Sequence, residues 1–170
     1  MIATGSGRRT AALLLAASLV TAGCYRDTSD LTESGLGRPS VSVSFPSVVE
    51  GGSVHTATVR IDNPGPGDIP TIVISFSLLG SPREGIEDAL IVAGRGARSP
   101  SIAGVEPEPV AASEGGTIYR FGRLDEGESL AVRFEVEVPA VRGKAANAVL
   151  VYDGSATNRA RGTRLETTIR

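Results

Sequence analysis

The sequence predicts an all-β sandwich over most of its length, preceded by a segment that serves export rather than folding. Three observations carry this. In SLAVRFEVEV, residues 129–138, Leu130, Val132, Phe134, Val136 and Val138 alternate with Arg133, Glu135 and Glu137. Strict alternation describes a strand with one buried and one wet face, as when two antiparallel sheets pack face to face. No segment after residue 40 has a convincing helical period, and the chain's 21 glycines and 10 prolines punctuate it at turn spacing.

The first element is a leader. MIATGSGRRT carries Arg8 and Arg9 as its only charges, and residues 11–23 follow without a charge. A basic start, a short apolar run and small residues before a cut are the parts of a secretory signal peptide. The run falls short of the ~20 residues that span a bilayer. It ends at Val20-Thr21-Ala22-Gly23-Cys24, and Cys24 is the only cysteine in 170 residues. This stretch resembles the lipobox of bacterial lipoproteins, although Thr21 stands where leucine is usual. The resemblance implies cleavage after residue 23 and a thioether-linked lipid on Cys24. A cysteine with that role needs no disulfide partner, and two or three acyl chains hold a protein stably on a membrane.

The second element is a tether, residues 24–40. Tyr25 to Ser40 is rich in Ser, Thr, Asp, Glu, Gly and Pro, with Leu31 and Leu36 its only aliphatics. That composition buries too little to order itself. Tyr25 rather than Asp follows the cysteine, which in a two-membrane envelope favours the outer membrane. Removing residues 1–23 takes away two arginines and no acid, so the net charge moves from −2 to about −4. An acidic surface without a basic run argues against nucleic acid as a partner.

The domain follows over residues 41–170. Alternation and turn residues place strands at 41–49, 53–62, 70–79, 88–93, 117–123, 129–138, 146–153 and 163–169. Turns are expected at Glu50-Gly51-Gly52, at Asn63-Pro64-Gly65-Pro66-Gly67-Asp68 and at Asp125-Glu126-Gly127-Glu128. In the second of these the prolines fix φ and the glycines accept positive φ, while Asn63 and Asp68 can bond nearby amides. Gly94–Gly116 has little period and reads as a long loop, with room for one short strand around Ile102. Arg83, Arg95 and Arg98 make that region basic.

Four pieces carry a resemblance: EGGSVHTATVRIDNPGPGDIPTIVISFSL, YRFGRLDEGE, SLAVRFEVEVPA and AANAVLVYDGSATNRA. Together they are similar to a bacterial conserved-repeat surface domain of unknown function. The resemblance covers about residues 41–170 and implies an immunoglobulin-like antiparallel β-sandwich of about seven to eight strands. Pro64, and Asn158-Arg159 where the family has Asn-Asn, depart from its pattern. So does the missing Asp-x-Leu-Pro piece at residues 78–80.

The residues offer little chemistry. His55 is the sole histidine, no serine sits in G-x-S-x-G, and a serine triad needs a histidine base. By period His55 shares a face with Ala57, Val59 and Ile61, as a hydrogen-bonded histidine at a sandwich end. No phosphate-binding glycine motif occurs. Zinc needs three or four ligands. Asp62, Asp68, Asp125 and Glu128 are the best oxygen donors for calcium, but the D-x-[DN]-x-[DN]-G loop is missing. The expectation is therefore no enzyme, no catalytic residue, no cofactor and no metal. What remains is a lipid-anchored envelope protein, on the outer membrane where one exists. It would touch the membrane through its N-terminal lipid and another envelope protein or a polymer through sheet edges or loops. The alternative is a small-ligand or glycan-binding lipoprotein that uses the 94–116 loop. The scarcity of aromatics, four Phe, three Tyr and no Trp, disfavours it.

Overall fold

The computed structural model describes residues 37–78, 85–86, 88–91 and 101–170, with the backbone alone at 78 and 156–159. Cys24 and the whole leader lie outside these residues. So do Arg83, Arg95, Arg98 and the end of the strand expected at 88–93.

Among the described residues ten strands form two sheets. They are β1 (Ser40–Ser44), β2 (Val48–Val49), β3 (Val54–Asp62), β4 (Ile72–Leu78) and β5 (Ile102–Glu106). Then come β6 (Ala111–Ala112), β7 (Ile118–Arg120), β8 (Ser129–Glu137), β9 (Gly143–Asp153) and β10 (Ala156–Ile169). One sheet has the order β1-β3-β8-β5 and the other β2-β10-β9-β4-β7-β6. The first order, and β10-β9-β4 within the second, reproduce the A-B-E-D and G-F-C arrangement of immunoglobulin-like sandwiches. β7 and β6 extend the second sheet beyond its β4 side. All pairs are antiparallel except β2 with β10, which run parallel.

The alternation predicted for β8 is what the packing uses. Val132, Phe134 and Val136 are fully buried, and Arg133, Glu135 and Glu137 are exposed. From β3, Ala57, Val59 and Ile61 add to the same face, and Ile72, Ile74 and Phe76 of β4 meet them from the other sheet. Phe134 lies at the centre. Its ring centroid is 5.0 Å from Phe76 and 5.2 Å from Tyr119, both in tilted edge-on geometry, which aromatic quadrupoles prefer. The Tyr119 hydroxyl donates to the Gly116 carbonyl at 2.7 Å, and burial pushes its pKa upward.

Four expectations are corrected. The strand expected at 41–49 is two strands in different sheets. It breaks at Pro46, which has no N–H for a ladder, and the chain there crosses from one layer to the other. The strand expected at 88–93 is, where described, an isolated parallel bridge between Asp88 and Ala145. The side chain of Asn147 holds that segment, accepting from Ile91 N at 2.7 Å and donating to Ile91 O at 3.0 Å. The last strand begins at Ala156 rather than 163, after a two-residue turn at Gly154-Ser155, and a register shift between Ala156 and Arg161 interrupts its alternation. Finally, the Gly94–Gly116 loop contains two strands. β5 pairs with β8, Ile102 opposite Val136, and β6 pairs with β7.

Substituting a buried position of this register should be ruinous and substituting its neighbour harmless. Burying an unpaired carboxylate costs several kcal/mol, comparable to a domain's ~5–15 kcal/mol of stability. Val136→Asp should therefore abolish cooperative thermal unfolding in circular dichroism, whereas Glu135→Lys should leave the midpoint close to wild type. Equal tolerance of both would contradict the register.

Candidate functional site

The residues singled out by the sequence motifs converge at one end of the sandwich. β3 runs into the 63–68 corner, and β8 begins after the turn at 125–128. The backbone ties the two together. Asn63 N donates to Glu128 O at 2.9 Å and Gly127 N to Asn63 O at 2.8 Å, while Ile69 and Leu124 exchange two bonds of 2.9 Å.

Asn63 is 1% exposed, so its amide must find partners inside. Nδ2 donates to Gly67 O at 3.0 Å and to Leu124 O at 3.1 Å, and Oδ1 accepts from Gly65 N at 3.1 Å. One side chain thus closes the corner on itself and fastens it to the segment leading to the second turn. Gly65 has φ +84°, and a Cβ there would lie 2.5 Å from Glu126 Oε1. The positive φ calls for glycine, and any larger residue would also push the Glu126 side chain aside. The tether joins at the same place: Gly37 N donates to Asp68 O at 2.9 Å.

The carboxylates proposed as oxygen donors for calcium are occupied within this corner. Asp68 accepts from Glu126 N at 3.1 Å and pairs with Arg123, which also pairs with Asp125. Glu126 accepts from Gly67 N at 3.0 Å, and Glu128 accepts from Asp125 N at 3.1 Å. Asp62 is held by Arg60 and the Ser129 hydroxyl. Among the described residues no group of three or more His, Cys, Asp or Glu is placed to hold a metal ion. The Asp125 hydrogen bond, then the charges of Asp125 and Asp68, raise the Arg123 pKa. Asp125 and Glu128 thus act as turn residues.

His55 faces inward as its period predicted. Its ring meets Phe45 edge-on, centroids 6.2 Å apart. Concave surface is shallow. A depression of about 380 Å³ is lined by Ser47, Ile86, Lys144, Ala145, Glu166, Thr167 and Thr168, with Lys144 and Glu166 the titratable groups on its wall. The 94–116 region, expected as a long loop, contributes the edge strands β5 and β6 where it is described. Alternation did not reveal β5, because Gly104 interrupts it and a register irregularity falls between Ile102 and Gly104. Ile102, 7% exposed, was the one readable sign.

No protein-family model matches the chain, and no curated protein does. Solved structures similar in fold include the CARDB domain of a Pyrococcus furiosus protein in solution. That match has 14% identity and a TM-score of 0.48, covering 79% of this chain and 96% of that one. The same domain in a crystal, in complex with di-metal ions, matches at 14% identity and a TM-score of 0.46, covering 83% and 97%. The human F-spondin reeler domain matches at 11% identity and a TM-score of 0.43, covering 81% and 96%. At such identities the likeness is of fold alone. The resemblance to the conserved-repeat family rests on the motifs.

The hydrogen bond from Ser129 is the main reason the Asp62 pKa is lowered; desolvation opposes it, and Arg60 adds to it. A lowered folded-state pKa stabilises the protein above the unfolded value of about 3.9, and that stability is lost as pH falls through the folded pKa. Ser129→Ala should move the Asp62 midpoint up toward the ordinary carboxylate value in a carboxyl-carbon NMR titration. An unmoved midpoint would show that the hydroxyl bond does not set it.

Proposed function

We propose that this chain is a lipid-anchored protein of the bacterial cell envelope, its single sandwich acting as a non-catalytic structural or protein-interaction module. The observation that carries this reading is the charge-free run ending at Ala22-Gly23 and the sole cysteine, Cys24. A tether follows it and meets the fold at Gly37. The motif resemblance to the conserved-repeat surface family supports it too. Absence of catalysis is supported by how the reactive side chains are used. The corner acids accept turn amides or pair with arginines, and His55 packs on Phe45. Partner contact then falls to sheet edges and end loops, with an envelope protein or polymer as partner. The glycan-binding alternative has less behind it, since residues 102–106 and 111–112 of the region it relies on are edge strand.

Cys24→Ser tests the anchor. Wild type should partition into the detergent phase and label with a fatty-acid probe. The variant should lose the label and remain unprocessed or pass to the aqueous phase. A correctly cleaved variant that still partitions like wild type would rule out lipid attachment at Cys24.

A further inference from the structure

The edges of the two sheets are not equally guarded. An exposed edge strand invites pairing, and proteins blunt it with charge, proline, bulges or brevity. β5 has a register irregularity, ends in Glu106 and is followed by Pro107. β2 and β6 have two residues each. β1, Ser40–Ser44, carries neither charge nor bulge: it is SVSVS, five residues with proline only outside the strand, at Pro39 and Pro46.

The ladder tells which groups face the open side. In an antiparallel strand each residue sends its N–H and C=O to the same side, and successive residues alternate. Asn63 N bonds to Glu128 O and Val138 N to Ser53 O, so the odd residues of β3 face β8. The even ones, Thr58, Arg60 and Asp62, therefore face β1, where they lie opposite Ser44, Ser42 and Ser40. Val41 and Val43 are left to direct their N–H and C=O groups away from the sheet.

We propose that this edge pairs with β1 of a second copy of the chain, antiparallel about a two-fold axis at Ser42. The two-fold makes the contact isologous, and because SVSVS reads the same in both directions it sets valine opposite valine and serine opposite serine. Val41 meets the partner's Val43 as a hydrogen-bonded pair and Val43 meets the partner's Val41. Ser42 meets the partner's Ser42 as a non-hydrogen-bonded pair. The valines, half-buried in one copy, stack on their counterparts along the core face. The serines, exposed in one copy, meet on the outer face. No charge faces a like charge, and Arg38 falls opposite the partner's Pro46.

The area is small. A five-residue edge falls below the ~1,200 Å² of a stable interface, so the free dimer is weak. Confinement to a membrane raises the effective concentration; that part alone rests on the lipid anchor. Residues 24–36 provide at most roughly 45 Å of chain, and each tether leaves about 17 Å from the axis. Both anchors can therefore reach one bilayer when the axis stands normal to it.

The test is cross-linking of the full-length protein in its own membranes. Cα atoms of a non-hydrogen-bonded pair lie about 4.5 Å apart, within disulfide range. Ser42→Cys should give a reducible dimer on mild oxidation. Ser44→Cys, whose two copies lie about 14 Å apart in this register, should not, and neither should wild type. A dimer from wild type itself would mean a free Cys24, which strikes at the anchor and not at the edge. Ser42→Lys, exposed in one copy, should keep the wild-type melting midpoint and lose the dimer in light scattering of concentrated protein. No cross-link at Ser42→Cys, equal cross-links at both positions, or an adduct only to a different protein would overturn the proposal.

Discussion

The fold depends on the buried amide of Asn63. Three hydrogen bonds of 3.0–3.1 Å satisfy its carboxamide. Two close the glycine-proline corner that directly follows β3, and the third fastens that corner to Leu124, in the distant segment before β8. β3 and β8 are neighbours in the first sheet and the corner leads to β4 in the second, so this side chain sits where the layers are joined. A buried polar group without partners costs about 1–3 kcal/mol. Each of the three groups therefore favours the one arrangement in which all are paired. The acids around it follow: Glu126 caps Gly67 N, and Asp68 caps Glu126 N. Gly37 also docks here, its N–H on the Asp68 carbonyl.

Much of this was readable in the sequence, for local reasons. β8 and β3 alternate strictly because one face of each is core and the other is water. Asn63–Asp68 and Asp125–Glu128 were readable as turns because proline, glycine and short acids have turn chemistry of their own. That the two turns meet was not readable, because nothing local encodes a contact between residues 63 and 124. The register irregularities in β5 and β10 hid strand character by displacing the alternation. The parallel pairing of β2 with β10 was hidden by its length, two residues following Pro46. Asn147, buried within an alanine-rich run, gave no hint that it would clamp Ile91.

The same logic accounts for the acids of the corner. Asp68 and Glu128 accept amides of tight turns, where unpaired N–H groups must be met, while Asp62 and Asp125 pair with arginines. The histidine lies on an inward face because its period places it there. Among the described residues the domain leaves backbone N–H and C=O groups open at its sheet edges, and β1 is an edge with neither charge nor bulge.

Urea denaturation of Asn63→Asp probes the central constraint with almost no change of shape. The carboxylate keeps an acceptor for Gly65 N but turns oxygen, in place of two N–H donors, toward the Gly67 and Leu124 carbonyls. A corner that holds the layers together should lose at least about 2 kcal/mol of unfolding free energy at neutral pH, with the slope against urea unchanged. A variant within about 0.5 kcal/mol of wild type, the range of an ordinary surface substitution, would contradict the role assigned to Asn63.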